Sequence, residues 1–467
     1  NRLMAERLQS RTYDVVVIGS GSAGLAASVS AARNGARTLL VDAGPSVGGE
    51  LLSGLPLNAC LSARGEWVVG GVLRDLLDRC EAMGGLVPPY FDWRSLWLVC
   101  VDPEIMKIAC TLMVAEAGVD LLLNTFAEDV TVEDGRITGL VIANKSGRPL
   151  VTAEVFIDCS GDGDIAVRAG APSEKGGDDG AFQPVTMMFR MQGVETAPLL
   201  DFVVDHPEHV GLGERPDLVH LDKRDCARRL REQAVPSVFF DGRKPFLSEA
   251  IARGELHPCG ILAVCPVSPA RQEVSLNTTR LADLDATDPT ALSQALPRLI
   301  DQVWTCVGFL QRRVPGFEQA VFSGLAPRIG IRETRRIMGL EVLTGADVLT
   351  GRKRDDGIGK GANELDVHGG GREHRREMIR AGGSYDIPFG CLVPRDVLNL
   401  LVAGRCLSAT REAHGSARVM GTCMAMGQAA GTAAAFAAGS GTSIRQLSVQ
   451  ALRDRLREQG AILETDH

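Results

Sequence analysis

An apolar run, Val15-Val16-Val17-Ile18, leads directly into Gly19-Ser20-Gly21-Ser22-Ala23-Gly24, and this junction limits the possible folds more than any other stretch of the chain. A helix-compatible segment, 25–34, follows, and a second apolar run, Thr38-Leu39-Leu40-Val41, ends at Asp42. Strand, Gly-x-Gly-x-x-Gly turn, helix, strand and terminal acid together make the βαβ fingerprint of a dinucleotide site. Gly19 allows the sharp turn, Gly21 leaves space for a pyrophosphate, and Gly24 lets helix and strand approach closely. Ser22 and Ala23 open the helix, whose first-turn N–H groups and partial positive charge suit phosphate. Asp42, about 20 residues on, is placed to accept hydrogen bonds from a ribose. A glycine-rich turn between core elements accounts for the glycines but not for the acid at the end of the second strand.

The 467 residues suit two or three domains, and a composition 45% hydrophobic and 23% charged is that of a globular chain with a large core. A formal charge of −8 offers no basic excess to attract nucleic acid. The twelve cysteines contain no Cys-x-x-Cys pair, which argues against a closely ligated metal or iron–sulfur cluster and predicts no metal site. A reducing cytoplasm is the simplest compartment to expect, and with no charged-then-apolar stretch ahead of the first strand no signal peptide is expected. Segment 419–438 is rich in Gly and Ala, with a small-xxx-small pattern at Gly427 and Gly431. Its residues are too small to favour lipid and Gln428 interrupts them, so it reads as a tightly packed helix rather than a membrane span.

Periodicity predicts helices over 70–83 and 103–117, a strand over 119–124, and a hairpin of 130–133 with 139–144 across Asp134-Gly135. A short buried strand, Val155-Phe156-Ile157-Asp158-Cys159, enters a second glycine-rich turn at Gly161-Asp162-Gly163. Residues 173–181 are polar and Gly-rich, 182–325 mix strands (185–191, 273–277) with a helix (288–309), and 351–384 read as a long loop. An apolar strand then returns at Asn399-Leu400-Leu401-Val402-Ala403-Gly404. The expected fold is α/β, a discontinuous Rossmann-like FAD-binding domain with an inserted α+β substrate or cap domain. Its first part covers 12–172, the cap 173–385 and its second part 386–440, with a C-terminal tail at 441–467. FAD is expected over NAD because the site is divided between sequence-distant segments and no second complete fingerprint occurs.

Several further motifs stand in order: Gly48-Gly49-Glu50, Asp158-Cys159-Ser160-Gly161-Asp162-Gly163-Asp164, Gln183-Pro184-Val185-Thr186, Gly330-Ile331-Arg332-Glu333-Thr334-Arg335-Arg336, Asp366-Val367-His368, Tyr385-Asp386-Ile387-Pro388-Phe389, Val402-Ala403-Gly404-Arg405 and His414-Gly415-Ser416-Ala417-Arg418-Val419-Met420-Gly421-Thr422. With the fingerprint they make the chain, over about 13–438, resemble the FAD-dependent oxidoreductases distantly related to fumarate reductase and succinate dehydrogenase flavoproteins. The resemblance implies FAD, bound noncovalently since no attachment residue matches, and a redox reaction. It adds Gly49, Gly161, Asp162, Gly404, Arg405, Gly421, Thr422, Cys423 and Met424 to the expected cofactor contacts. The start of the helix at Gly421 would face negative charge on reduced flavin.

Four residues are the catalytic candidates. The spacing His-Gly-x-x-Arg at His414 and Arg418 is similar to a fumarate reductase stretch in which the arginine holds a substrate carboxylate; a salt bridge to Glu412 is the structural alternative. His368, beside Asp366, suits proton transfer near neutrality, or is a solvated loop residue. Arg332 orders substrate or flavin, or pairs with Glu333. Gln183 is placed near the flavin by analogy alone, Cys423 reads as a small buried residue, and His206, His209, His220 and His374 read as surface residues. The expected activity is a dehydrogenase moving hydride from a small polar or carboxylate-bearing substrate to flavin, with oxygen, a quinone or a partner protein as electron acceptor. The alternatives are flavin-dependent C=C reduction of an unsaturated acid, and FAD in a non-redox, structural or RNA-modifying role.

Overall fold

The computed structural model describes residues 12–369 and 374–467. β1 (Tyr13–Ile18) turns at Gly19 into α1 (Ser22–Arg33), and β2 (Thr38–Val41) returns beside it in parallel. Helices α2 (Val72–Ala82) and α3 (Pro103–Glu116) follow, the second started by Pro103 and by the Asp102 carboxylate, which accepts from the Glu104 N–H. β3 (Asp120–Leu122) adds to the sheet beyond β2. The expected hairpin is present and longer than its apolar positions suggested, β4 (Phe126–Glu133) with β5 (Arg136–Ala143). Asp134 (φ 49°) and Gly135 (φ 74°) form its left-handed turn. β6 (Ala153–Asp158) then pairs with β1 on the side opposite β2.

The chain leaves this layer for a second unit built on an antiparallel sheet. Its strands are β7 (Phe189–Gln192), β8 (Val238–Asp241), β9 (Ile261–Ser268), β10 (Glu273–Asn277) and, after the long helix α4 (Pro289–Arg313), β11 (Val321–Leu325), in the order β8-β9-β10-β7-β11. Phe189, Phe240, Phe309 and Phe317 centre its core, which draws its buried side chains from Val185 to Ala326. The apolar side chains Leu343, Val348, Ile358, Leu365 and Ile379 pack instead into the first core. The packing unit of the cap therefore ends well before 385. The segment expected as a loop, 351–384, contains the strand Gly357–Gly361 and the hairpin of β12 (Leu365–His368) with β13 (His374–Glu377). Alternating glycine and charge hid these strands from a periodicity argument.

β14 (Leu400–Val402) closes the first sheet against β6, giving the all-parallel order β14-β6-β1-β2-β3. α5 (Arg411–Ala417) and α6 (Met420–Ser440) follow. A β-carbon on Gly431 of α6 would lie 2.1 Å from the Ala27 carbonyl oxygen of α1, so small residues are what this helix pair requires. Among the described residues no helix is long and apolar enough to cross a membrane. The C-terminal segment is not a loose tail, since α7 (Val449–Glu458) buries Leu452 and Leu456 in the first core.

Candidate cofactor and active site

The carboxyl ends of β1, β2, β6 and β14 lie on one edge of the parallel sheet, the edge at which such sheets bind ligands. A cavity of about 830 Å³ opens there, within the usual range for small-molecule and cofactor sites. Gly19, Gly21, Ser22 and Ala23 line it after β1, and Asp42 after β2. Gly161 and Asp162 line it after β6, Gly404 and Arg405 after β14, and Arg418 and Cys423 where α6 begins. The opposite wall belongs to the cap: Leu292, Leu296 and Ile300 of α4, and residues 325–329 and Ile331.

The three glycines of the turn differ in what surrounds them. Gly19 has φ +94°, and a β-carbon there would lie 2.3 Å from the Cys159 carbonyl oxygen. On Gly24 it would lie 1.6 Å from the Gly19 carbonyl oxygen. On Gly21 it would meet no protein atom within 4 Å, because that position faces the cavity. Open space at the start of α1, where first-turn N–H groups have no intrahelical acceptor, fits a pyrophosphate. Asp42 Oδ2 accepts from the Ser20 N–H and hydroxyl, both at 2.7 Å, and Oδ1 from the Gly44 N–H at 2.6 Å. The carboxylate thus shapes its own loop as well as facing the cavity.

Five expected cofactor contacts are not on the wall. Gly24 packs inside the turn, and Gly49 backs onto Gly21, its β-carbon position 2.8 Å from the Gly21 Cα. Gly421 packs on segment 58–59 and its N–H donates to the Asn58 carbonyl at 3.2 Å, so that donor does not face the cavity. Thr422 and Met424 are buried in the core, the Thr422 hydroxyl without a partner. A helix start seen in sequence cannot tell which side of the first turn faces the ligand.

Arg405 and Thr334 both donate to Asp162 Oδ1, at 3.0 and 2.7 Å, pinning the turn after β6 to the strand end of β14. Glu50, the acid of the Gly48-Gly49-Glu50 motif, also faces the cavity. Burial raises its pKa, while Arg328, Arg405 and Arg332 oppose the rise. Phe126, at the start of β4, lines the cavity near Asp42 and is 65% exposed, which leaves a ring face available at that end. Nothing in the sequence singled out Phe126 or Arg328.

Arg332 and His368 are not on this cavity's wall; they belong to a cluster that adjoins it through Arg418. Arg418 Nη2 lies 3.6 Å from Asp366 Oδ2, 3.3 Å from the Asp366 carbonyl and 3.4 Å from Gln183 Oε1. Its partner is therefore Asp366 and not Glu412, which pairs with Arg375 at 2.6 Å. Arg332 Nη1 donates to the Pro184 carbonyl and the Thr186 hydroxyl, both at 2.6 Å, while Glu333 pairs with Arg411 at 2.9 Å. Burial, with Arg418 and Arg280 nearby, brings Arg332 down to about 10 despite Asp366. Burial likewise lowers Arg418.

His368 and His374 stack with ring centroids 4.1 Å apart, and each turns Nε2 to a different oxygen of Asp366. His374 is thus half-buried within the cluster and not a surface residue. Burial alone would raise Asp366, but the two imidazoles overcome it and hold the carboxyl well below its usual range. Burial brings His368 down to about 3, Asp366 opposing and Arg332 assisting, so its imidazole is neutral at ordinary pH. Two imidazoles and a carboxylate are ligand types that suit a divalent cation. The guanidinium groups of Arg418 and Arg332 make the surroundings positive and favour an anion instead.

His414 does not fit a proton-transfer role. It is 0% exposed, its Nε2 lies 2.8 Å from the Arg405 carbonyl, and its Nδ1 has no partner. Burial pushes its pKa well below the usual value. It ties α5 to the loop after β14 and so positions Arg405.

Comparison with known proteins shows the family. Over 149 residues, 29% of this chain, it is 26% identical to a tRNA uridine 5-carboxymethylaminomethyl modification enzyme of Streptococcus pyogenes, and the match spans 22% of that protein. Among solved structures, a geranylgeranyl bacteriochlorophyll reductase-like protein from Thermoplasma acidophilum matches 96% of this chain and 84% of its own, at 14% identity and a TM-score of 0.45. A p-nitrophenol 4-monooxygenase from Pseudomonas putida matches 95% of this chain and 83% of its own, at 12% identity and a TM-score of 0.45. The profile of the FAD dependent oxidoreductases matches residues 14–456, and the chain belongs to that family of FAD-dependent enzymes.

Proposed function

We propose that the enzyme is a dehydrogenase of a small carboxylate-bearing substrate. The observation that carries this reading is the positive surplus around Asp366: Arg418 lies 3.6 Å from its carboxylate, and Arg418 and Arg280 both act on the buried Arg332, against the carboxylates of Asp366 and Glu50. Like charges gathered out of water are relieved by an anion, and a planar guanidinium binds a carboxylate through two parallel hydrogen bonds. Bound FAD supplies a hydride acceptor. Arg418 and Arg332 orient the carboxylate. His368, neutral and held by Asp366, takes the O–H or N–H proton as the C–H bond breaks. An incoming negative charge offsets Arg332, so the basicity of His368 rises when substrate is in place.

FAD is proposed to be noncovalent. The two cysteines on the cavity wall, Cys159 and Cys423, are kept as thiols by burial, Cys423 pushed up to about 12, and are poor nucleophiles in that form. Acid precipitation should release all flavin into the supernatant. Electrons leave to oxygen, a quinone or a partner protein. Twelve buried free thiols support a reducing compartment such as the cytoplasm.

One observation favours the reverse direction, reduction of a C=C bond in an unsaturated acid. Burial lowers the pKa of Arg418, which makes its guanidinium a better proton donor than an exposed one. The two directions separate in one anaerobic experiment. The dehydrogenase reading requires that a hydroxy acid or amino acid from a panel bleach the oxidised flavin. Failure of the whole panel, together with reoxidation of chemically reduced enzyme by an unsaturated acid, establishes the reductase reading. If neither occurs, the structural role of FAD gains. An RNA substrate finds no support in a net charge of −8.

A further inference from the structure

Arg328 comes from the cap, three residues beyond the end of the edge strand β11, yet it lines the cavity together with Gly21. Its Nη1 lies 3.5 Å from where a β-carbon of Gly49 would sit, and that point is 2.8 Å from the Gly21 Cα. The guanidinium is therefore beside the glycine turn and the start of α1. Among the described residues it makes no hydrogen bond or ion pair; Glu50 is the carboxylate whose ionisation it influences. An unpartnered, planar cation facing an open space at a helix N-terminus has the chemistry to bind a phosphate through two hydrogen bonds.

We propose that Arg328 is a pyrophosphate ligand contributed by the cap, so that FAD is gripped from both units: by α1 and Gly21 on one side and by Arg328 on the other. The inference rests on FAD occupying this cavity and goes beyond the substrate reading, which it does not need. Two consequences follow. Affinity for the phosphate-bearing cofactor depends on a residue outside the nucleotide-binding layer, and loading the cofactor ties the cap wall, residues 325–329 with α4, to that layer.

The test uses the full chain freed of flavin by dialysis, with FAD and riboflavin as probes and quenching of flavin fluorescence as the readout. Arg328→Ala should weaken FAD about 10- to 100-fold while leaving riboflavin, which has no phosphate, within twofold of the parent. Arg328→Lys should recover part of the loss as a point charge, and the salt dependence of FAD affinity should be shallower in Arg328→Ala. The rise in melting temperature on adding FAD should shrink in the same variant. Arg328→Ala that binds FAD within twofold of the parent, or that loses riboflavin as severely as FAD, overturns the proposal. Because the side chain is exposed and unpartnered in the protein, its removal leaves the fold intact; Arg328→Gln repeats the measurement in a side chain of similar length. A parent chain that binds no FAD at all would instead refute the occupancy of the cavity, a distinct result.

Discussion

Gly427 of α6 and Ala23 of α1 touch backbone to backbone: a β-carbon on Gly427 would lie 2.1 Å from the Ala23 carbonyl oxygen. Ala23 is also on the cavity wall, so the contact sets both the packing of two buried helices and the position of the phosphate-facing turn.

Gly427→Ala should therefore cost stability and cofactor together. Displacing α1 to admit one methyl group is overpacking, worth about 1–3 kcal/mol. Urea unfolding should give a lower midpoint with an unchanged slope, and FAD should bind more weakly. Unaltered unfolding and FAD affinity would mean that the helices are not in this contact.

Gly19→Ala and Gly21→Ala should separate folding from binding. At Gly19 the left-handed φ of +94° and the nearby Cys159 carbonyl forbid a side chain, so that variant should be destabilised by about 2 kcal/mol or more. At Gly21 the methyl enters open space, so that variant should melt within about 2 °C of the flavin-free parent yet lose FAD affinity at least about 10-fold. Equal melting temperatures for the two flavin-free variants would contradict the geometry.

Arg418→Ala should raise KM for carboxylate substrates by about 10- to 100-fold and leave uncharged analogues within about threefold. Arg332→Ala should act in the same direction. Equal losses for charged and neutral compounds would remove both arginines from substrate binding and leave them as structural partners of Asp366 and Thr186.

Acid should weaken the fold through the histidines that burial holds neutral. His257 is brought down to about 4 by burial, and its Nε2 lies 3.2 Å from the Thr278 carbonyl. A histidine whose folded pKa is depressed takes up its proton first in the unfolded chain. The stability that His257 contributes is then full above about pH 6.5 and falls as pH drops toward 4, by up to about 1.4 kcal/mol per pH unit. His368, down to about 3, adds in the same window. His257→Gln should reduce the slope of unfolding free energy against pH by one proton's share; an unchanged slope would show that His257 is ionised freely in the folded state.

The parallel layer was legible because its signals are local. Val15 to Asp42 carry strand, turn and helix in one continuous stretch, and the small residues around Gly427 announce close packing. The returning strand at Leu400 was legible as an apolar run that ends in glycine. Other features depend on partners remote in sequence. His374 reads as an ordinary loop histidine until β12 and β13 pair and set it on His368. His414 looks like a base by motif, but its burial follows from the packing of α5 on the loop after β14, which spacing does not encode. Arg328 lies in the cap, and only the docking of that unit brings it to Gly49. For the same reason residues 343–379 read as part of the insertion, though their apolar side chains pack in the first core.

The strand β14 pairs with β6, Leu400 against Phe156, after the whole cap has intervened. During synthesis the N-terminal strands emerge with one edge of β6 unpaired, and the cavity floor at Gly404 does not exist until nearly all of the chain has been made. A nascent chain thus holds its glycine turn long before it holds a site, and flavin capture belongs to the end of translation. Premature termination anywhere in the cap would leave an exposed parallel edge without cofactor, a species marked for aggregation or degradation and not for residual activity.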